Sequence, residues 1–109
     1  MRVVNPGYQL NSAWELTWGP DDSLWVTENF AYKVDRINPT DGGLTQLIDI
    51  SSLKDFTNPP IWPQGGLMGL ALHPSMYSEW PNPSKPWIYI AYVYHYSPSS
   101  GCTNDTGPC

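Results

Sequence analysis

Apolar and polar residues alternate with a two-residue period over much of this chain. Trp14-Glu15-Leu16-Thr17-Trp18 sets large apolar side chains against polar ones and stops at Gly19-Pro20-Asp21-Asp22. Leu24-Trp25-Val26-Thr27 resumes at once. Two such runs joined by turn formers predict a β-hairpin with a loop of about four residues. Lys33-Val34-Asp35-Arg36-Ile37 alternates again and ends in Asn38-Pro39-Thr40-Asp41-Gly42-Gly43, a cluster whose members each favour turns. Leu44 to Ile50 is a fourth run. Four short strands with turns at this spacing predict an antiparallel meander.

Beyond Ile50 the pattern changes. Asn58-Pro59-Pro60 and Trp62-Pro63 exclude a central strand, because proline cannot donate to a ladder. Ser51–Pro63 is therefore expected as a surface loop with one short helical turn at Ser52–Phe56. Leu67-Met68-Gly69-Leu70-Ala71-Leu72 is apolar on both faces, as in a strand covered on both sides. His73-Pro74 ends it, and residues 75–86 read as irregular. Trp87-Ile88-Tyr89-Ile90-Ala91-Tyr92-Val93-Tyr94 is the strongest strand, β-branched and aromatic throughout. Residues 97–109 carry no strand or helix signal. Leu24-Trp25-Val26 and Trp87-Ile88-Tyr89-Ile90 each follow an apolar run and a Pro-containing turn. A repeat of roughly 60 residues fits propeller blades, which are typically four-stranded sheets.

Composition narrows the function classes. The chain has 109 residues and a net charge of -5, with only five Lys and Arg. Phosphate backbones and anionic lipid surfaces are gripped by basic clusters, so neither nucleic acid nor a membrane surface is an expected partner. The longest nearly apolar run, Trp87 to Tyr96, is far below the roughly 18 residues of a spanning helix, so no membrane insertion is expected. Residues 1–7 contain no apolar stretch of the kind that marks a signal peptide. Six Trp and seven Tyr argue against disorder, which is poor in aromatics.

Several segments, taken in order, resemble the start of the soluble quinoprotein (pyrroloquinoline quinone, PQQ) glucose dehydrogenase family, also called the glucose/sorbosone dehydrogenase domain. They are Trp14-Glu15-Leu16-Thr17-Trp18-Gly19-Pro20-Asp21, Leu24-Trp25-Val26-Thr27-Glu28, Lys33-Val34-Asp35-Arg36-Ile37-Asn38-Pro39, Gln64-Gly65-Gly66-Leu67-Met68-Gly69-Leu70-Ala71-Leu72-His73-Pro74 and Trp87-Ile88-Tyr89-Ile90-Ala91-Tyr92. Together they span about residues 10–96. The resemblance implies an all-β fold, with this chain as the N-terminal one to two blades of a six-bladed β-propeller. It implies oxidation of the anomeric hydroxyl of an aldose to a lactone by PQQ with calcium, in a periplasmic or secreted protein. It places the general base, an Asp-His-x-x-Gly-like histidine, and the quinone and calcium ligands downstream of the matched region. No catalytic residue and no cofactor or metal ligand is therefore assigned here, and the isolated chain is expected to be inactive. Gln64 matches the glutamine that faces the sugar. Asn29 stands where the family usually has Arg, and Ser75-Met76 where it usually has Asp-Phe. The runner-up is a non-catalytic carbohydrate-binding or interaction propeller.

The residues themselves support some chemistry and argue against other kinds. Gln64, before Gly65-Gly66, sits where backbone can approach a ligand closely, and its amide can both donate to and accept from a sugar hydroxyl. His73 ends a strand and is expected to bond neighbouring backbone. His95 has no partner at ligand spacing. Asp21-Asp22 and Asp41-Gly42-Gly43 lack the alternating oxygen ligands of a calcium loop and read as turn chemistry. Glu15 alternates with Trp14 and Leu16, so it points to solvent, which argues against a glycosidase pair with Glu28. Trp14, Trp18, Trp25 and Trp87 are expected in the sheet core, Trp62 and Trp80 on a binding surface. Cys102 and Cys109 close a small disulfide loop or remain two free thiols.

Overall fold

The computed structural model describes residues 9–54 and 65–93. Strands form where the sequence runs placed them: β1 (Ala13–Trp18), β2 (Leu24–Glu28), β3 (Lys33–Ile37), β4 (Leu44–Asp49), β5 (Leu67–Leu72) and β6 (Ile88–Tyr92). The first four make one antiparallel sheet in the order β1-β2-β3-β4, and β5 pairs antiparallel with β6. This is one four-stranded blade followed by the first hairpin of a second. β2 and β6 are each the second strand of an antiparallel pair, which accounts for the repeat in the sequence.

Two regular details depart from the sequence expectation. The helical turn after β4 is a 3-10 turn at Ser51–Leu53 that ends at an extended Lys54, slightly earlier than Ser52–Phe56; Asp55 and Phe56 lie outside the described residues. Residues 75–86 are not wholly irregular: Ser75–Ser78 form one α-helical turn, α1. Pro74 precedes it, a position where the missing N–H costs no helical bond.

The turns are built by short polar side chains and a crowded glycine. Between β1 and β2, the Gly19 amide donates to the Ser23 carbonyl at 2.8 Å. Asp21 Oδ1 accepts from Trp25 Nε1 at 2.9 Å and Asp21 Oδ2 from Arg36 Nη1 at 2.9 Å. A Cβ on Gly19 would lie 2.2 Å from Trp25 Nε1. Gly19-Pro20-Asp21 and Trp25 are thus one packing unit. Burial alone would raise the Asp21 carboxyl, but the Trp25 and Arg36 hydrogen bonds together outweigh it and hold the group below its ordinary value. Between β3 and β4, Asp41 Oδ1 accepts from the Gly43 amide at 2.7 Å, and Gly42 takes a φ of 73°. Both aspartate clusters therefore serve turns, as their spacing suggested.

The core lies between the two sheets. Tyr32, Val34 and Leu67 are buried together, with Ile48, Ile50, Leu70, Ile90 and Tyr92 packed around them. One face of each sheet contributes: Val34 is opposite Ile48 on the first, and Leu70 is opposite Ile90 on the second. On the opposite face of the first sheet Val26, Glu28 and Asp35 are buried too, but the positions on β1 are not. Trp14, Leu16 and Trp18 on β1 are 57%, 58% and 50% exposed, and Trp87 is 53% exposed. Of the four tryptophans expected in the core, only Trp25 is buried. Trp25 lies opposite Thr17, whereas Leu16 and Trp18 lie opposite Val26 and Leu24, so the buried tryptophan and the exposed Trp18 occupy different faces, and burial depends on what each strand meets. For the same reason Leu67–Leu72 is buried fully only at Leu67. Trp80, the described member of the loop pair, is exposed as expected; Trp62 lies outside the described residues.

Candidate functional site

The approach to β5 is the best-organised polar region of the molecule. It starts at the end of β2, where Thr27, Glu28 and Asn29 are all buried. Asn29 Nδ2 donates to the Gly65 carbonyl at 2.5 Å and to the Leu67 carbonyl at 3.2 Å. The Asn29 carbonyl in turn accepts from the Leu67 amide at 3.1 Å. One residue of the first sheet thereby satisfies three backbone groups at the start of the second. Thr27 Oγ1 adds a bond to the Met68 carbonyl at 2.9 Å.

Close backbone approach explains the glycine pair. Gly65 and Gly66 have φ of 137° and 92°, in the region that side chains disfavour. A Cβ on Gly66 would lie 2.6 Å from the Asn29 carbonyl oxygen and 2.7 Å from its Oδ1. From the far side, the Val93 amide donates to the Gly66 carbonyl at 2.9 Å, and Tyr32 Oη donates to the Val93 carbonyl at 2.6 Å. Tyr32 itself is fully buried and has a φ of 57°, a costly backbone state for a bulky residue. The glycine turn is therefore clamped between Asn29 and Val93 before the chain enters β5. Such a turn can carry a side chain in a fixed direction. Gln64, the candidate sugar contact, immediately precedes it and lies outside the described residues, as do His95, Cys102 and Cys109.

His73 does what a strand-terminal histidine was expected to do. Its Nδ1 accepts from the Ser75 amide at 3.1 Å and lies 2.9 Å from Ser75 Oγ, while Ser75 Oγ donates to the Lys85 carbonyl at 2.9 Å. The imidazole packs edge-on to Trp87, with ring centroids 5.8 Å apart. This arrangement stitches the start of α1 to the start of β6. Ser75 is thus part of a structural hook in place of the Asp-Phe pair.

The acids also separate clearly. Glu15 is exposed, as expected, and its backbone amide donates to Thr27 Oγ1 at 3.0 Å. Glu28 is buried, and its neighbour is Asp35, which is buried on β3. Glu15 therefore lies at the surface and Glu28 in the interior. Among the described residues no group of three or more His, Cys, Asp or Glu is placed to hold a metal ion. The cations are committed: Arg36 to Asp21, Lys33 to Asp49 at 3.8 Å, and Lys85 over the Trp87 ring at 5.7 Å.

Thr27 and Asn29 are the polar residues that sequence reasoning undervalued. Thr27 read as one half of a strand alternation, and Asn29 as a departure from a familiar pattern. The available signal was the run Thr27-Glu28-Asn29, three polar residues ending a strand with no turn former until later.

No protein-family model matches the chain. The chain is 32% identical over 85 residues to the quinoprotein glucose dehydrogenase B of Acinetobacter calcoaceticus. The match takes in 78% of this chain and 16% of that protein, so the chain spans about one sixth of the length of its relative. No helix among the described residues is long and apolar enough to cross a membrane.

Proposed function

We propose that this chain, which is related in sequence to the quinoprotein glucose dehydrogenases, forms the first blade and a half of a PQQ-dependent aldose dehydrogenase. The enzyme would oxidise the anomeric hydroxyl of a sugar to its lactone. The observation that carries this reading is the relationship over most of the chain, combined with a clamped glycine turn directly after Gln64. The turn held by Asn29 and Val93 fixes the entry to β5, the residue after the motif's Gln64 being its first glycine, and binding groups work best on rigid supports. Gln64 would donate to and accept from sugar hydroxyls, fixing the ring without taking part in proton transfer. PQQ, with calcium, would supply the redox chemistry. Its ligands and the general base would come from residues beyond those described. Alone, the 109-residue chain would be inactive, and the working protein would be periplasmic or secreted. The alternative is a non-catalytic carbohydrate-binding or interaction propeller. The replacement of the family's usual Arg by the structural latch Asn29 favours that alternative.

The deciding experiment is dye reduction by the full-length protein with aldoses, with and without added PQQ and calcium. Quinone-dependent reduction is the expected result, with kcat/KM falling about tenfold or more in Gln64→Ala, the scale of one lost polar substrate contact. Sugar binding with no dye reduction would replace the enzyme with the binding module. Unchanged kinetics in the variant would remove Gln64 from the site.

A further inference from the structure

Asp35 is 1% exposed, yet neither of its carboxylate oxygens has a hydrogen-bond donor. An ionised carboxylate in that position would carry the full cost of desolvation with nothing to offset it. Its neighbours make ionisation harder. Asp35 pairs with Val26 in the β2–β3 register, so Glu28, two residues along the same face of β2, is its diagonal neighbour. Glu28 is 2% exposed, and its carboxylate accepts the backbone amide of Asn11. From β4, Asp49 adds a second negative charge, and Lys33 on β3 itself is the cation that opposes them. Lys33 is partly drawn away to Asp49 at the solvent edge. β1 presents Ala13 and Leu16 to this part of β2, which bring no charge.

We propose that Asp35 and Glu28 hold a single proton between them in the folded sheet, and that loss of this proton loosens the β2–β3 ladder as the pH rises from acid to neutral. Two buried carboxyl groups in contact cannot both ionise cheaply, so the pair keeps one proton long after exposed acids have lost theirs. Burial first, then the adjacent Glu28 carboxyl, pushes Asp35 up to about 7 from its ordinary 3.8. The sign follows from proton linkage. The folded state holds the proton more tightly than the unfolded chain does. The resulting stability is complete below the ordinary aspartate value and is lost as the pH rises to about 7. Neutral pH, which suits most exposed carboxylates, is therefore the unfavourable end of the range for this pair.

The test uses the full-length protein with carbon-13 labelled aspartate. In the wild type, one aspartate carboxyl resonance titrates near neutrality, and Asp35→Asn abolishes it. Denaturant unfolding followed from about pH 4 to about pH 9 is the second readout. Relative to Asp35→Asn, the wild-type unfolding constant rises by up to about tenfold per pH unit up to neutrality, the slope set by one linked proton. A carboxyl resonance that titrates in the ordinary acidic range overturns the proposal, as does an identical pH dependence in both proteins. Glu28→Gln provides an independent check should Asp35→Asn fail to fold. Removing the neighbouring charge moves the Asp35 titration towards acid, and an unmoved titration rules out the shared proton.

Discussion

The seam between the two sheets and the outward face of β1 invert the usual assignment of polar and apolar residues. At the seam, Thr27, Asn29 and the hydroxyl of Tyr32 are buried, and each bonds a backbone group of the second sheet. On β1, Trp14, Leu16 and Trp18 are at least half exposed. Hydrophobic character alone would have exchanged the two sets. The difference is one of partners. The seam joins two sheet margins that carry unpaired backbone carbonyls, and buried carbonyls need donors. The β1 face has apolar side chains but no sheet opposite them among the described residues. A face of that kind is suited to burial against another layer, in keeping with a propeller in which each blade covers the next.

The sharpest way to break this comparison is at Gly66. Alanine there needs a backbone state that side chains disfavour and meets the Asn29 carbonyl at 2.6 Å. Strain and overlap together are expected to cost roughly 3 kcal/mol or more, read as a fall in the denaturation midpoint of the full-length protein. A loss under about 1 kcal/mol would mean the turn relaxes freely and is not clamped.

Asn29→Ala is the next largest. It strands the Gly65 and Leu67 carbonyls that Nδ2 serves, and unsatisfied buried groups cost about 1–3 kcal/mol. Because the lost bonds hold the turn after Gln64, the proposed function adds a second expectation: sugar KM rises in this variant. Equal loss in Trp14→Ala would erase the distinction between seam and open face, since exposed positions usually change stability by about 0.5 kcal/mol or less.

Arg36→Met is the smallest. Its guanidinium is partly exposed, at 39%, so solvent screening limits the ion pair with Asp21 to about 1 kcal/mol or less. Asp21 keeps the Trp25 hydrogen bond and the turn survives. The acid limb of the stability curve is the better readout. Asp21 sits below its ordinary value, so its contribution is present above about pH 4 and fades as the pH falls further. Arg36→Met flattens that fade. An unchanged acid limb would assign the lowered carboxyl to Trp25 alone.

Much of the fold was legible along the chain. All six strands lie where the sequence runs placed them, β1 and β3 by alternation, β5 by a continuous apolar run and β6 by β-branched and aromatic content, because a strand needs little beyond local backbone preference. The turns were legible for the same reason: Gly19-Pro20-Asp21 and Asp41-Gly42-Gly43 act on residues within a few positions of themselves. His73 was legible because its partner, Ser75, is two residues away. The candidate site was legible only in part. The motif Gln64-Gly65-Gly66 pointed to a close backbone approach, but the approaching group is Asn29, 36 residues from Gly65.

Local patterning therefore determined which residues pair into strands and where the chain reverses. The tertiary structure alone decided which face of each sheet is covered, and so which tryptophans are buried. It brought Tyr32 to Val93 across 61 residues and Asn29 to the glycine turn. It also set Asp35 beside Glu28, with no donor to the Asp35 oxygens. The physical reason is range. Backbone conformation and turn chemistry act over a few residues, whereas burial depends on what the folded chain lays on top. That is why Trp18 on β1 stays exposed while Glu28 on β2 and Asp35 on β3 are buried in the same sheet.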